Sequence, residues 1–384
     1  MTKLAEIATN FFLASMILFN SFIICVSSQL FAHELSPNIL DLKLENNRIK
    51  VQFTTNLEAY ISGMDFSIVD NTDDYENQQL YKTYRALNNE KLSEKFLLNW
   101  NDFTTLFSFS KEDGSKLNKF VFSFLKSEVI ADLSVPRLTV VHFFIENEDL
   151  SPFSVQLSKK LGDTVLRVGK TKDGSAQYLL SGEKSAIISY KGNQLASRVG
   201  VFSNYIQVGF THIIPKGIDH ILFVLGLIFF SQKIYALLFQ ISLFTLAHTI
   251  TLGLNSLKII NLPIALVEPL IALTIVYIAI ENILKSEGLK YRSITIFIFG
   301  LLHGLGFASV LNTFGLPENH FLLALTGFNL GVELGQITIV ILVYLILKLL
   351  FNTKEQFRNY ITIPGSLIIG VFGIWWSLER TLLT

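Results

Sequence analysis

The stretch YALLFQISLFTLAHTITLGL, residues 235–254, decides how the second half of this chain folds. It carries no Asp, Glu, Lys or Arg, and its one histidine is His248. A helix needs roughly 20 apolar residues to cross the hydrocarbon of a bilayer, and this run has that length. Runs at 218–232, 262–283, 293–311, 321–347 and 361–379 share its character. The first is short for a span; the fifth is long enough to tilt. Together they predict an α-helical polytopic membrane bundle of six helices. A seventh element is expected where IQVGFTHIIPKG, 206–217, precedes the first run as a partly embedded helix that Pro215 and Gly217 would end.

Composition agrees with that reading. Half of the 384 residues are hydrophobic and only 16% are charged, with 31 basic against 31 acidic side chains. Such a chain is too apolar for an ordinary soluble domain, and its neutral balance leaves no footprint for nucleic acid. One cysteine, Cys25, supports neither a disulfide framework nor a thiolate metal site. No phosphate-binding Walker loop is present, which argues against ATP-driven transport by this chain alone.

The first half reads differently. Lys3, the apolar run FFLASMILFNSFIICV and the small residues up to Ala32 predict a signal peptide over 1–32, or an uncleaved signal anchor. Ile24 before Cys25 argues against a lipoprotein signal. Cleavage after Ala32 would expose His33, whose α-amine and imidazole suit copper. Residues 33–195 are expected to form a β-rich, sandwich-like extracytoplasmic domain. Its strands are read in DLKLENNRIKVQFTTNLEAYI, LFSFS, KFVFSFL, RLTVVHFFIE, FSVQLS, TVLRVG and SAIISYK, with one helix within 73–102. His142 is expected half-buried on a strand. Residues 196–217 are a linker or interfacial helix, and 218–384 the transmembrane domain.

Loop charge orients the bundle. Lys233, Lys285, Lys290, Arg292, Lys348, Lys354 and Arg358 fall at alternate loops or span ends, against Lys258 and Glu318 opposite. The positive-inside rule puts the first set in the cytoplasm, with the β domain and the C-terminus on the periplasmic side of a bacterial inner membrane. Asp219, His220, His248, Glu268, His303, Asn329 and Glu333 then fall near one level toward the external side. Ionisable groups are expensive in a bilayer and usually face a bundle interior where they act. Thr245 and His248 share a helix side, as do Asn329, Glu333 and Gln336 at i, i+4 and i+7. Each residue also has a purely structural explanation. Asp219 and His220 could cap a helix start, and His248 and His303 could hydrogen-bond across helices. Glu268, before Pro269, could satisfy freed backbone. Glu281 and Asn282 mark an inner gate or a snorkelling span end. A surface role is expected for His212, and none is assigned to His320.

The motifs GIDHILFVLGL, FTLAHTITL, VEPLIALTIVYIAIEN, FGLLHGLGFA and FNLGVELGQ occur in that order over residues 200–380. They resemble the membrane domain of the HupE/UreJ family, in particular its second branch, with a signal peptide and an extracytoplasmic domain before the helices. LFAHELSP at the start of the mature region resembles that branch more loosely. The resemblance implies nickel uptake linked to hydrogenase or urease maturation, and carries over to Asp219, His220, His248 and His303. Related nickel permeases place four residues between a histidine and Asp-His. Here six separate His212 from Asp219-His220, so the resemblance does not extend to that ligand geometry.

Two functions of different class follow. The first is transport or handling of a divalent transition metal, nickel or cobalt before zinc, by Asp219, His220, His248, His303, Glu333 and Glu268. The second is an intramembrane zinc hydrolase acting on a lipid or membrane-tethered substrate, with Asp219 or Glu333 as general base. A structural or assembly role for the polar layer is the third reading. The expected partners are the metal ion, membrane lipids and a periplasmic or membrane protein.

Overall fold

The computed structural model describes residues 37–382, apart from 46, 69–75, 129–136, 170–174, 190–197, 232, 285–288, 315–319 and 352. The expected signal peptide and His33 lie outside the described residues. Two compact units emerge, one within Met1–Gly169 and Gln177–Gln194, the other within Lys170–Ala176 and Leu195–Thr384.

In the first unit, β1 (Asn38–Glu45) and β2 (Arg48–Thr55) form a hairpin with Glu45 opposite Arg48. Four short helices follow: α1 (Leu57–Ile61), α2 (Gln78–Arg85), α3 (Asn89–Leu98) and α4 (Trp100–Thr104). One helix was expected over 73–102; three form, because Asn88 caps α3 by accepting from Lys91 N at 3.0 Å and Asn99 interrupts the chain before α4. The remaining strands are β3 (Phe107–Lys111), β4 (Lys116–Leu117), β5 (Phe120–Ser127), β6 (Thr139–Glu146), β7 (Phe153–Leu157), β8 (Thr164–Val168) and β9 (Ser175–Leu179).

They make a six-stranded sheet, β5-β6-β2-β1-β8-β9, and a three-stranded one, β4-β3-β7. Most neighbours pair antiparallel, but β1 runs parallel to β8. Among the described residues, SAIISYK forms no strand: Ile188 bridges Phe153 and the preceding Lys184 bridges Gln156, while between them the Ser185 hydroxyl, rather than a backbone carbonyl, accepts from Val155 N at 2.8 Å. Strict alternation on β6 turns Val141, Phe143 and Ile145 inward. Their core is aromatic: Phe53 meets Phe107 edge-on at 5.1 Å, and Phe96 meets Phe103 at 4.9 Å.

The second unit is a bundle of seven helices among the described residues. In order they are α5 (Arg198–Ile213), α6 (Ile218–Phe230), α7 (Ile234–Ser256), α8 (Ile264–Leu284), α9 (Leu289–Phe314), α10 (Phe321–Leu350) and α11 (Ile363–Leu382). A short helix, Lys354–Phe357, and a π-helical turn lead into α11. Helices α7, α8, α10 and the stretch Glu355–Leu382 are long and apolar enough to cross a membrane. Leucine and isoleucine side chains such as Leu246, Ile250, Leu330 and Ile341 are exposed on their outer faces, as lipid contact requires.

The run at 218–232 is not a span by itself. At 1.5 Å per residue, α6 reaches only about 20 Å, short of the hydrocarbon thickness. It forms the second limb of a pair with α5, bent by 71° across Ile214–Gly217. Within the bundle, α5 lies along α10, α7 along α9 and α8 along α11. The α5–α10 contact is made by backbone. A Cβ on Gly209 would stand 1.9 Å from Phe328 O, and one on Gly331 would stand 2.1 Å from Ile206 O. Small residues let membrane helices approach this closely.

Candidate metal centre

The bend between α5 and α6 folds His212 back toward His220, their ring centroids 5.0 Å apart. The turn depends on Gly217, where a Cβ would meet the His212 carbonyl oxygen at 2.5 Å. Helix α7 contributes His248, 5.9 Å from His220 between ring centroids, and α9 contributes His303 at 5.0 Å. His220, His248 and His303 are 3%, 0% and 1% exposed. Gly304 lets α9 close on α7, since a Cβ there would sit 2.3 Å from His248 O.

Each of these three imidazoles has one nitrogen held. His220 Nδ1 lies 3.0 Å from Asp219 Oδ1, and an ionised carboxylate only accepts, so Nδ1 carries the proton. His248 Nδ1 lies 3.2 Å from Asn329 Oδ1. The amide is oriented by Asn329 Nδ2 donating to Leu325 O at 2.7 Å, so its oxygen faces the ring. His303 Nε2 lies 3.1 Å from Thr274 Oγ1, whose own proton goes to Ile271 O at 2.6 Å. The threonine oxygen therefore accepts from Nε2–H.

The pattern fixes three tautomers, and each leaves a lone pair on the opposite nitrogen. Those atoms, His220 Nε2, His248 Nε2 and His303 Nδ1, are buried with no hydrogen-bond partner among the described residues, and so is His212 Nε2. Buried polar nitrogens left bare are costly, and a nitrogen with an oriented lone pair is able to bind a metal. One ligand atom from each of His212, His220 and His248 lies within 4.8 Å of the others, and the same holds for Asp219, His220 and His303. Four imidazoles and a carboxylate fit a borderline divalent ion such as nickel, cobalt, zinc or iron, and lack the sulfur that copper(I) prefers.

The other sequence candidates are placed differently. Glu333 on α10 is half-buried and accepts from the exposed Ser242 hydroxyl at 2.5 Å. Its neighbours at i−4 and i+3 do face α7: Asn329 holds His248, and Gln336 accepts from Thr245 at 3.0 Å. Glu268 pairs with Arg380 at 3.9 Å. Neither glutamate is among the residues whose ligand atoms converge. Glu281 is paired with the buried Arg292, whose guanidinium carbon lies 3.6 Å above the Phe230 ring. Asn282 donates to Gly226 O at 2.9 Å and to Ser366 at 3.1 Å. In the β unit, His142 stacks on Phe124 at 4.0 Å, half-buried as expected, and burial holds its imidazole below the usual range.

His212 was expected at a surface. It is instead a member of the cluster, packed at 3.8 Å on Phe307. The readable signal was Gly327, Gly331 and Gly335, a small residue at every fourth position of α10. That stripe announces a helix packed in close, and α5 fills it.

No curated protein and no solved structure matches this chain. A family model described as HupE / UreJ protein matches residues 189–380, half of the sequence, a range that contains all five converging side chains. The chain belongs to the HupE/UreJ family.

Proposed function

We propose that this protein transports or handles a divalent transition metal, nickel or cobalt first, at a bacterial inner membrane, with His212, Asp219, His220, His248 and His303 as the binding centre. Four buried imidazole nitrogens with no hydrogen-bond partner among the described residues carry this reading. The alternation of loop cations supports a centre on the periplasmic side, with the β domain external. There the domain would capture metal or recruit a protein partner. The hydrolase reading has less support. Asp219 already holds His220, and Glu333 is engaged by Ser242 away from the converging ligands. Sealed proteoliposomes containing a fluorescent metal indicator test the proposal. Nickel or cobalt should enter those carrying the wild type and not those carrying His220→Ala. Equal rates would contradict it.

One further outcome follows. Thr274→Val should weaken binding by about 10- to 100-fold by releasing His303, with Thr274→Ser close to wild type. Unchanged affinity in the valine variant would remove His303 from the centre.

A further inference from the structure

The converging ligands do not form one set. His212, His220 and His248 make one triad, and Asp219, His220 and His303 make another. No larger group of the five falls within the same 4.8 Å limit among the described residues. Donors bonded to one ion at about 2.1 Å lie at most roughly 4.2 Å apart. A single ion therefore cannot take all five side chains as they stand. His220 alone belongs to both triads.

We infer that the centre offers two alternative ion positions joined at His220, an acidic one (Asp219, His220, His303) and an all-imidazole one (His212, His220, His248), between which a borderline divalent cation passes. This rests on the metal-handling reading above. His220 has one free lone pair, on Nε2, because Nδ1 is held by Asp219, so it bonds one ion and one position is filled at a time. In the passage the ion exchanges an Asp219 oxygen and a His303 nitrogen for nitrogens of His212 and His248. It keeps its bond to His220 throughout, and no electron moves. The Asp219 hydrogen bonds use Oδ1, which leaves Oδ2 to ligate.

The two positions differ in charge and in origin. The acidic triad joins α6 to α9 and carries a negative charge, which favours capture of a hydrated cation. The neutral triad joins α5, α6 and α7, and holds an ion less tightly against release. A ligand shared by both avoids a fully stripped ion between them. Conduction of this kind needs sites weak enough to leave as well as strong enough to fill.

Cobalt(II) titration with X-ray absorption on full-length protein in detergent tests the inference. Asp219→Asn with His303→Ala should retain cobalt in a shell of three imidazoles. His212→Ala with His248→Ala should retain it in a shell of two imidazoles and a carboxylate. Each double variant should bind within about 100-fold of wild type, whereas His220→Ala loses both species. His220→Gln replaces that variant if it is not monodisperse. Loss of cobalt from either double variant while the wild type binds would overturn the two positions and leave the metal centre standing. The same shell in both double variants would do so too. A wild type that binds no cobalt would overturn the metal reading itself.

Discussion

Gly331→Ala should drive α5 away from α10 and take His212 out of the centre. The added Cβ would stand 2.1 Å from Ile206 O and 2.8 Å from Phe210 N. Both are backbone atoms of a helix, so no side-chain rotation relieves the clash and the helices must separate. Overpacking of this kind typically costs about 1–3 kcal/mol and sometimes more, and the interface also has Gly209 in close backbone contact. His212 rides on α5 beside that contact, so metal affinity should fall by at least about tenfold along with stability. Thermal unfolding in detergent and cobalt titration measure the two effects. Leu330→Ala, on the exposed face of the same turn, should do neither. A Gly331→Ala protein with wild-type stability would contradict the packing described.

Arg292→Leu should be the more damaging change at the other end of the bundle. Arg292 is 1% exposed and paired with Glu281, whose side chain is 10% exposed. Removing one partner of a buried pair leaves an uncompensated charge and typically costs about 3–5 kcal/mol. The loss here includes the stacking of the guanidinium on Phe230. Exchanging both partners for leucine should recover most of the stability, since two apolar groups of similar volume need no counter-ion. The same pair tests the transport reading. The helices bearing His220, Thr274 and His303 also bear Phe230, Glu281 and Arg292, each further along in the direction away from the histidines. The pair therefore lies on the side of these helices remote from the histidines, where a path leaving the centre in that direction would pass it on the transport reading. In proteoliposomes the double leucine variant should bind metal normally and pass it at an altered rate. An unchanged rate in the double variant would show that the pair restricts nothing, and a single Arg292→Leu variant as stable as wild type would contradict the buried pair.

Much of this architecture was legible because membrane helices and β-strands write their periods plainly. The uncharged run around His248 and the alternation of RLTVVHFFIE each gave the element that forms. His220, His248 and His303 stood out because imidazoles are rare in such runs, and they do converge. Two kinds of information were not legible. One is the geometry of a break: Pro215 and Gly217 announce an interruption, but nothing in their identity gives a bend that brings His212 onto His220. The other is which side of a helix turns inward. Asn329, Glu333 and Gln336 share a face by spacing, yet the structure buries the first and third against α7 and leaves Glu333 toward the edge with Ser242. Glu268 illustrates the same limit, since its partner Arg380 is 112 residues away.

Metal content is the most direct test of the central claim. The full-length protein, purified in detergent, would be measured by inductively coupled plasma mass spectrometry beside a variant with alanine at positions 220, 248 and 303. The account predicts close to one equivalent of a divalent transition metal in the wild type and its loss in a variant that remains folded. A wild type that stays empty after anaerobic incubation with nickel, cobalt and zinc would contradict it, and would leave the imidazoles as a hydrogen-bonded layer that locks the bundle.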